Sequence, residues 1–286
     1  MLWIALSLAS GLGDALIYAY MKKLRSLDST LVVWAQYAFS LPFIVALLIF
    51  FFPENISSEA YWIGAINSAL LAYTMYLLFK AFGTTNLSLT VPLLSFTPLF
   101  LLLTSYVMVH EIPTPLGYLG IFFIVFGTYI MNIHPDKKGI LDPFKALVTN
   151  QGARYALMAA FLMSIMSNLF KLGITASNPF FYSALVHAMI AAFLLPLMLY
   201  RNGNVRAQLK ANFPQLMLTG FFSAFMQITA GIAIILTIVP YMISLKRSSV
   251  LFGLILGAYM FGEHTQKKAM LGTFLMFVGA ALIVVS

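Results

Sequence analysis

An acidic side chain stands near the middle of the first apolar segment of the chain, where a charge is costly. Asp14 shares one helical face with Ser7, Gly11 and Tyr18, because these residues recur at spacings of three and four. Ionisable residues inside membrane helices usually face the protein interior and mark a path for substrate or ions. We therefore interpret Asp14 and Tyr18 as substrate-binding residues and Asp14 also as a proton-coupling residue. Packing against a neighbouring helix is the alternative.

Two cationic side chains, Lys246 and Arg247, lie near the start of a later apolar segment. The N-terminus of a helix already favours an anion, so this pair is suited to binding a carboxylate or phosphate group of a substrate. The alternative is that both side chains extend to the membrane interface or form a gate on the cytoplasmic side.

Neutral polar side chains supply further candidates for substrate binding. Tyr73 and Tyr76 share one face of the third apolar segment, and Asn168 takes the position of Tyr18 when the chain is offset by 150 residues. An amide that faced lipid would leave its hydrogen-bonding groups unmet, which favours an interior position for Gln227. The tyrosines have packing or interfacial anchoring as their alternative.

Ser95 lies in the fourth apolar segment between Pro92 and Pro98. Proline removes a backbone donor and kinks a helix, so the freed carbonyl groups must find partners in a cavity or on a neighbouring helix. We include Ser95 among the substrate-binding residues. His187 and Gln36 are interpreted as packing or gate residues, because no second metal ligand is spaced to accompany the histidine. We predict no metal site and no cofactor.

The composition identifies the solvent that surrounds these residues. The chain is 62% hydrophobic and 8% charged, its mean hydropathy is +0.95, and a soluble domain carries roughly 25% charged residues. The chain contains no cysteine, which excludes disulfides and thiolate chemistry. Its net charge of +8 comes from basic residues in short loops, so no nucleic-acid partner is predicted.

Ten apolar segments are long enough to cross a bilayer core of about 30 Å. They span residues 2–21, 30–52, 60–82, 87–109, 115–133, 152–175, 179–200, 213–237, 241–261 and 267–285. The longest polar stretch, residues 134–151, is interpreted as a linker. The sequence therefore predicts an all-α integral membrane protein with ten transmembrane helices.

The chain is internally duplicated. Residues 89–131 and 241–284 both contain two apolar segments joined by a polar turn, and residues 152 positions apart match. The matches include Glu111 with Glu263, Gly120 with Gly272, and Gly127 with Gly279. We predict two five-helix repeats, 1–133 and 152–286. Because five is odd, the second repeat enters the membrane in the opposite sense, as in alternating-access transporters.

Basic residues predict the orientation of the chain. The odd-numbered loops carry 13 of the 16 Lys and Arg residues, which places these loops in the cytoplasm and both termini outside. The 13 residues are Lys22, Lys23, Arg25, Lys80, Lys137, Lys138, Lys145, Arg154, Arg201, Arg206, Lys210, Lys267 and Lys268.

The two hairpins around Glu111 and Glu263, together with Leu245-Lys246-Arg247-Ser248-Ser249 and the five-plus-five pattern, resemble the drug/metabolite transporter superfamily, EamA type. The resemblance covers nearly the whole chain. It implies a ten-helix secondary transporter of small metabolites that often works as an exporter. Many members of that family keep both termini inside, whereas the charge bias here points the other way.

The sequence thus predicts a secondary active transporter that exports small polar metabolites such as amino acids, by alternating access around a midplane cavity, with proton coupling. The alternatives are an intramembrane enzyme acting on lipid, or a transporter of phosphate-bearing solutes such as nucleotide sugars. No enzymatic activity is predicted. The expected partners are a small-molecule substrate and the lipid bilayer, and the expected form is a monomer or weak homodimer in the inner cell membrane.

Overall fold

The computed structural model describes residues 1–84, 92–132, 142–262 and 267–286. Within these ranges all the regular secondary structure is helical. The helices are α1 (Leu2–Lys23), α2 (Ser29–Ala38), α3 (Leu41–Phe50), α4 (Ser58–Thr84), α5 (Thr97–Val109), α6 (Pro115–Asn132), α7 (Asp142–Thr149), α8 (Gln151–Thr175), α9 (Pro179–Arg201), α10 (Val205–Ala211), α11 (Phe213–Leu236), α12 (Val239–Lys246), α13 (Ser249–Phe261) and α14 (Lys267–Val285).

Nine helical spans in the described ranges are long and apolar enough to cross a membrane, and the shorter apolar helix Met270–Val285 follows them. This confirms the predicted all-α membrane architecture. Three of the spans differ from continuous helices. Ser29–Phe50 is broken between α2 and α3, Pro92–Val109 is broken before α5, and Val239–Phe261 is broken between α12 and α13.

The loops also contain regular structure. Helix α7 lies inside the stretch that we interpreted as a linker, and α10 lies between the seventh and eighth spans. The ninth span begins at Val239, two residues before the predicted start. The predicted start of the fourth span, residue 87, and the matched Glu263 lie outside the described residues.

One helix in each repeat begins with a side-chain cap at the matched position. The Asp28 carboxylate accepts a hydrogen bond from the Thr30 amide at 2.8 Å and caps α2. The Asn178 side chain, 150 residues later, accepts from the Phe181 amide at 2.7 Å and caps α9. A side-chain oxygen at this position satisfies one of the amides that a helix start leaves unpaired.

The chain forms two compact units, and each contains segments of both predicted repeats. The first unit comprises Met1–Ala72, Leu169–Leu236 and Ser249–Glu263, and the second comprises Tyr73–Asn168, Thr237–Ser248 and His264–Ser286.

In the first unit, α1 packs against α11 and α13, and α9 packs against α2, α3 and α11. Small residues allow the close approach. A Cβ atom at Gly220 would lie 2.5 Å from the backbone of Phe39. Apolar side chains at the ends of α2, α9 and α11, among them Leu31, Met198 and Leu216, form a buried cluster.

In the second unit, α6 and α14 form the main helix pair. A Cβ atom at Gly120 would lie 2.7 Å from the Gly279 carbonyl oxygen, and one at Gly127 would lie 2.6 Å from the Gly272 carbonyl oxygen. The four matched glycines therefore meet crosswise in this antiparallel pair, the first glycine of each helix against the second of the other, where only the absence of a side chain lets the backbones touch.

Candidate functional site

The structure divides the predicted site residues between the two units. Asp14, Tyr18 and Gln227 belong to the first unit, and Tyr73, Tyr76, Ser95, Asn168, Lys246 and Arg247 belong to the second.

Asp14 is half-buried on α1. Tyr18, one turn further along α1, is 63% exposed. The buried face of α1 carries Ser10, whose hydroxyl donates to the Met226 carbonyl of α11 at 3.1 Å. The predicted stripe therefore runs from the buried Ser7 and Gly11 to the exposed Tyr18, whereas the hydroxyl that bonds to α11 belongs to Ser10, outside the stripe.

A buried polar cluster surrounds the break in the second span. The Ser40 hydroxyl donates to the Tyr37 carbonyl at 2.6 Å and lies 2.6 Å from His187 Nδ1. Because a hydroxyl has one proton, Ser40 can donate to the Tyr37 carbonyl and also bond to the imidazole only when the ring donates from Nδ1. The Tyr37 ring meets the His187 ring edge-on, with 5.1 Å between centroids. His187 is 2% exposed.

Gln36 and Gln227 lie beside this cluster. The Gln36 amide donates to the Ser223 hydroxyl at 3.4 Å, and Gln227 follows Ser223 by one turn of α11 and is half-buried. His187 and Gln36 were interpreted from the sequence as packing or gate residues, but their partners, Ser40 and Ser223, could not be identified in this way. Only the break at residues 39–40, which the apolar pattern does not reveal, brings Ser40 to the histidine.

Three further buried polar atoms of the first unit have no hydrogen-bond partner in the described part of the chain. They are Asn67 Oδ1, Ser68 Oγ and Ser183 Oγ. The Asn67 amide nitrogen donates to the Tyr182 hydroxyl at 3.5 Å, so α4 and α9 meet here.

In the second unit, the fourth span breaks at Ser95 and Phe96. The Ser95 amide donates to the Pro92 carbonyl at 3.1 Å and the Phe96 amide to the Leu93 carbonyl at 3.2 Å, which closes a tight turn of the 3₁₀ type. Ser95 is 2% exposed, and its hydroxyl accepts from the Asn132 amide at 3.4 Å.

The ninth span breaks at the matching place. The Arg247 amide donates to the Ser244 carbonyl at 3.1 Å and the Ser248 amide to the Leu245 carbonyl at 3.0 Å. These bonds are the same pair as in the fourth span, shifted by 152 residues. The two repeats therefore share a backbone turn as well as an apolar pattern.

Arg247 joins the two breaks. In a continuous helix the Leu94 carbonyl would accept from the amide of residue 98, but residue 98 is a proline and has no N–H. Arg247 Nη2 donates to the Leu94 carbonyl at 3.2 Å, and the Thr97 hydroxyl donates to it at 2.9 Å. Pro98 predicts a carbonyl group in need of a partner, and the Arg247 guanidinium and the Thr97 hydroxyl are its two donors.

Two serine hydroxyls border the cationic pair. Ser244 Oγ and Ser248 Oγ are buried and have no hydrogen-bond partner among the described residues. Ser244 is 0% exposed, whereas Lys246 and Arg247 are half-buried. A buried hydroxyl without a partner costs roughly 1–3 kcal/mol, which makes these two atoms conspicuous.

Asn168 lies in a complete hydrogen-bond network. Its carbonyl accepts from the Ser105 hydroxyl at 2.7 Å, and its amide donates to the Thr104 hydroxyl at 3.0 Å and to the Ser164 carbonyl at 3.1 Å. Asn168 is 0% exposed. These contacts hold α8 to α5, and they satisfy the side chain without any ligand.

Tyr73 and Tyr76 lie on an exposed face of α4. They are 47% and 53% exposed, their rings stack with 6.2 Å between centroids, and the Lys80 ammonium lies 5.7 Å from the Tyr76 ring. The structure gives this pair neighbours in one another and in Lys80.

Glu111 caps a helix other than its own. Its carboxylate accepts from the Val239 amide at 2.6 Å, at the start of α12. The Thr114 amide donates to the Tyr241 hydroxyl at 2.9 Å, and Gly117 packs against the Tyr241 ring so closely that a Cβ atom would overlap it. The segment that precedes α6 is thus fastened to the start of the ninth span.

The residue before this acid adopts a left-handed backbone. His110 has φ of 55° and ends α5, and the matched residue of the second repeat, Gly262, has φ of 66°. Glycine adopts this conformation freely and histidine does not.

Comparison with proteins of known structure confirms the fold. A solved crystal structure, described only as that of a protein, matches with a TM-score of 0.67 at 14% identity and covers 96% of this chain and 98% of its own. No curated protein matches the chain significantly by sequence.

The described spans, the matched breaks and the duplicated sequence agree with one family of proteins. The profile of the EamA-like transporter family matches residues 1–133 and 150–285, which are the two halves of the chain. These matches confirm the predicted pair of repeats, and the chain belongs to the EamA-like transporter family.

Proposed function

We propose that this protein is a secondary active transporter that exports small polar metabolites, such as amino acids, by alternating access, with Asp14 binding the amino group of the solute or a coupling proton. Membership of the family carries the coarser statement, a membrane transporter of small solutes. The observation that carries the finer one is the half-buried carboxylate of Asp14 in the middle of α1.

The surroundings of Asp14 support a role in binding. An ionised carboxylate within the hydrocarbon region is costly unless a cation or a proton neutralises it. Asp14 is half-buried near the middle of the span Leu2–Lys23. An ammonium group or a proton would provide the neutralising charge.

The matched breaks of the fourth and ninth spans support alternating access. In transporters built from inverted repeats, substrate and ion sites lie at discontinuous helices, where the backbone leaves its regular pattern. Both breaks here use the same pair of hydrogen bonds. The two repeats therefore place a discontinuous helix at equivalent positions, as transporters of this architecture do.

We also propose that the protein works in the inner cell membrane as a monomer or weak homodimer, with the odd-numbered loops in the cytoplasm. The bias of 13 basic residues towards those loops supports this orientation. Labelling of single cysteines introduced at Lys145 and at Ser57, which are on loops five and two, tests it in intact cells, because the chain contains no cysteine of its own. Reaction of the Lys145→Cys variant with an impermeant reagent would show that the orientation is the opposite of the one proposed.

The binding role of Asp14 is tested by thermal unfolding of the purified protein against amino acids, amines and nucleotide sugars. A ligand at a hundredfold excess over its Kd stabilises the folded state by about 2.7 kcal/mol. We expect stabilisation by an amino-bearing compound, and loss of that stabilisation in Asp14→Asn. Glu59→Gln, an exposed carboxylate at the start of α4, is the matched control and keeps the response. A response that Asp14→Asn leaves intact would contradict the assignment.

A further inference from the structure

We propose that the break in the ninth span is a binding site for an anionic oxygen group, a carboxylate or a phosphate, formed by Ser244, Arg247 and Ser248, with the charge of the adjacent Lys246 adding to the attraction. As the subsite for one end of a transported solute, this site rests on the proposed function. As an anion site, it stands on the geometry of the second unit alone.

The backbone turn places polar groups together. The bond from the Arg247 amide to the Ser244 carbonyl spans three residues. In a turn of this type, side chains three residues apart eclipse each other, so Ser244 and Arg247 lie on the same side. Ser248 follows Arg247 directly and closes the turn through its own amide bond to the Leu245 carbonyl. Two hydroxyls therefore flank the guanidinium-bearing residue.

The two hydroxyls, those of Ser244 and Ser248, indicate a bound ligand. Ser244 is 0% exposed, and neither its Oγ nor that of Ser248 has a hydrogen-bond partner among the described residues. Buried polar groups in folded proteins almost always have a partner, and a hydroxyl in a membrane helix can usually bond to its own backbone. Here both hydroxyls leave a donor unused beside two cationic residues.

The charge of the neighbours determines the chemistry of that occupant. Lys246 and Arg247 repel an ammonium group and attract an anion, and a serine hydroxyl donates its proton to an acceptor oxygen. A carboxylate or phosphate oxygen fits the donors at the break, and the two sources are separated by experiment.

The matched break shows that the site belongs to one repeat only. The residues equivalent to Ser244, Lys246, Arg247 and Ser248 in the fourth span are Pro92, Leu94, Ser95 and Phe96. The Ser95 hydroxyl already has a partner in Asn132. The same turn is therefore neutral and satisfied in one copy, but cationic with unsatisfied hydroxyls in the other.

The experiment uses the full chain in a neutral detergent at constant ionic strength, titrated separately with inorganic phosphate and with acetate in place of chloride. We expect a saturable rise in melting temperature with one or both anions. Saturation with phosphate alone identifies a phosphate site, and saturation with acetate identifies a carboxylate site. Ser244→Ala should weaken binding by roughly tenfold, the effect of losing one hydrogen bond to a charged group. Lys246→Gln should weaken it as well.

Ser183→Ala is the matched control. Ser183 is also 0% exposed, and its hydroxyl has no hydrogen-bond partner in the described part of the chain. It lies in α9 and belongs to the first unit, whereas the cationic pair belongs to the second. Removing either hydroxyl relieves an unmet hydrogen-bonding group, so both variants should fold without loss of stability. Arg247 is left intact because it holds the Leu94 carbonyl.

The proposal is overturned if neither anion gives a saturable shift, if Ser244→Ala binds like the wild type, or if Ser183→Ala loses as much affinity. Anion binding in detergent does not depend on transport. Anion binding without transport in proteoliposomes would therefore contradict the proposed function but support the anion site. Transport without anion binding would support the proposed function but contradict the anion site.

Discussion

The fourth and ninth spans show how one backbone serves two purposes. Both break at matched residues with the same pair of hydrogen bonds, yet Ser95 and Phe96 occupy the first break and Arg247 and Ser248 the second. The difference extends to Pro98, which frees the carbonyl that Arg247 holds. The two repeats kept the shape of the turn but diverged in sequence. The ninth span now carries the cationic Arg247, and the fourth span carries the Leu94 carbonyl that accepts its hydrogen bond.

The strongest test of this comparison is a double-mutant cycle between the two spans. Arg247→Ala should lower the free energy of unfolding by about 1–3 kcal/mol, because the Leu94 carbonyl loses a charged donor. In a Pro98→Ala background residue 98 regains its amide, which can donate to that carbonyl, so the same change should cost less. Thermal or denaturant unfolding of the four proteins measures the coupling. Equal costs in both backgrounds would show that the bond does not depend on the proline.

A smaller effect is expected where the repeats differ at a helix end. His110→Gly should stabilise the protein by about 0.5–1 kcal/mol, because glycine adopts the left-handed backbone without strain. Gly262→Ala, at the matched position, should destabilise it by a similar amount. The melting temperatures of these two variants should fall on opposite sides of the wild type, and a lower value for His110→Gly would refute the argument. Gly253→Ala is the control for the glycine-to-alanine change, because this residue lies inside α13 and a Cβ atom there meets no atom within 4 Å, so it should not destabilise the protein.

The smallest effect concerns the matched caps of α2 and α9. Burial raises the pKa of Asp28, but the hydrogen bonds from Thr30, the charge of Arg201 and the hydrogen bond from Asn202 outweigh it, so the pKa lies below its ordinary value of 3.8. A lowered pKa means that this carboxylate stabilises the fold above pH 3.8 and that the contribution is lost as the pH falls through the folded-state value.

The cap of α9, Asn178, does not titrate and provides the contrast. We expect Asp28→Asn to lower the melting temperature slightly at pH 7 and to match the wild type more closely as the pH approaches 3. Asn178→Ala should give a loss that is independent of pH over the same range. A wild-type to Asp28→Asn difference that stays constant from pH 7 to pH 3 would exclude the charge as the cause.

The sequence was sufficient to predict an all-helical membrane fold and the duplication, because hydrophobic length and a repeat of matched glycines and acids are local features. The meeting of Gly120 with Gly279 and of Gly127 with Gly272 then follows from close packing of the matched helices. Pro98 also predicted a freed carbonyl, although not which donor would reach it.

The side-chain partners could not be predicted in the same way. His187 and Ser40 are 147 residues apart, and their contact depends on a break in the second span that the apolar pattern does not reveal. The network around Asn168 likewise depends on where α5 packs against α8. Periodicity identifies the face of a helix that a polar residue occupies, whereas tertiary packing decides whether that face meets a partner or remains available to a ligand.

Transport itself provides the most direct test of the central proposal, that Asp14 binds or couples the solute. Proteoliposomes that contain a pH-sensitive dye are given the compound that stabilises the purified protein most, and solute uptake and internal pH are followed together for wild type, Asp14→Asn and Glu59→Gln. We predict that wild type and Glu59→Gln take up the solute and that Asp14→Asn, although folded, does not. Uptake by Asp14→Asn at the wild-type rate would contradict this account.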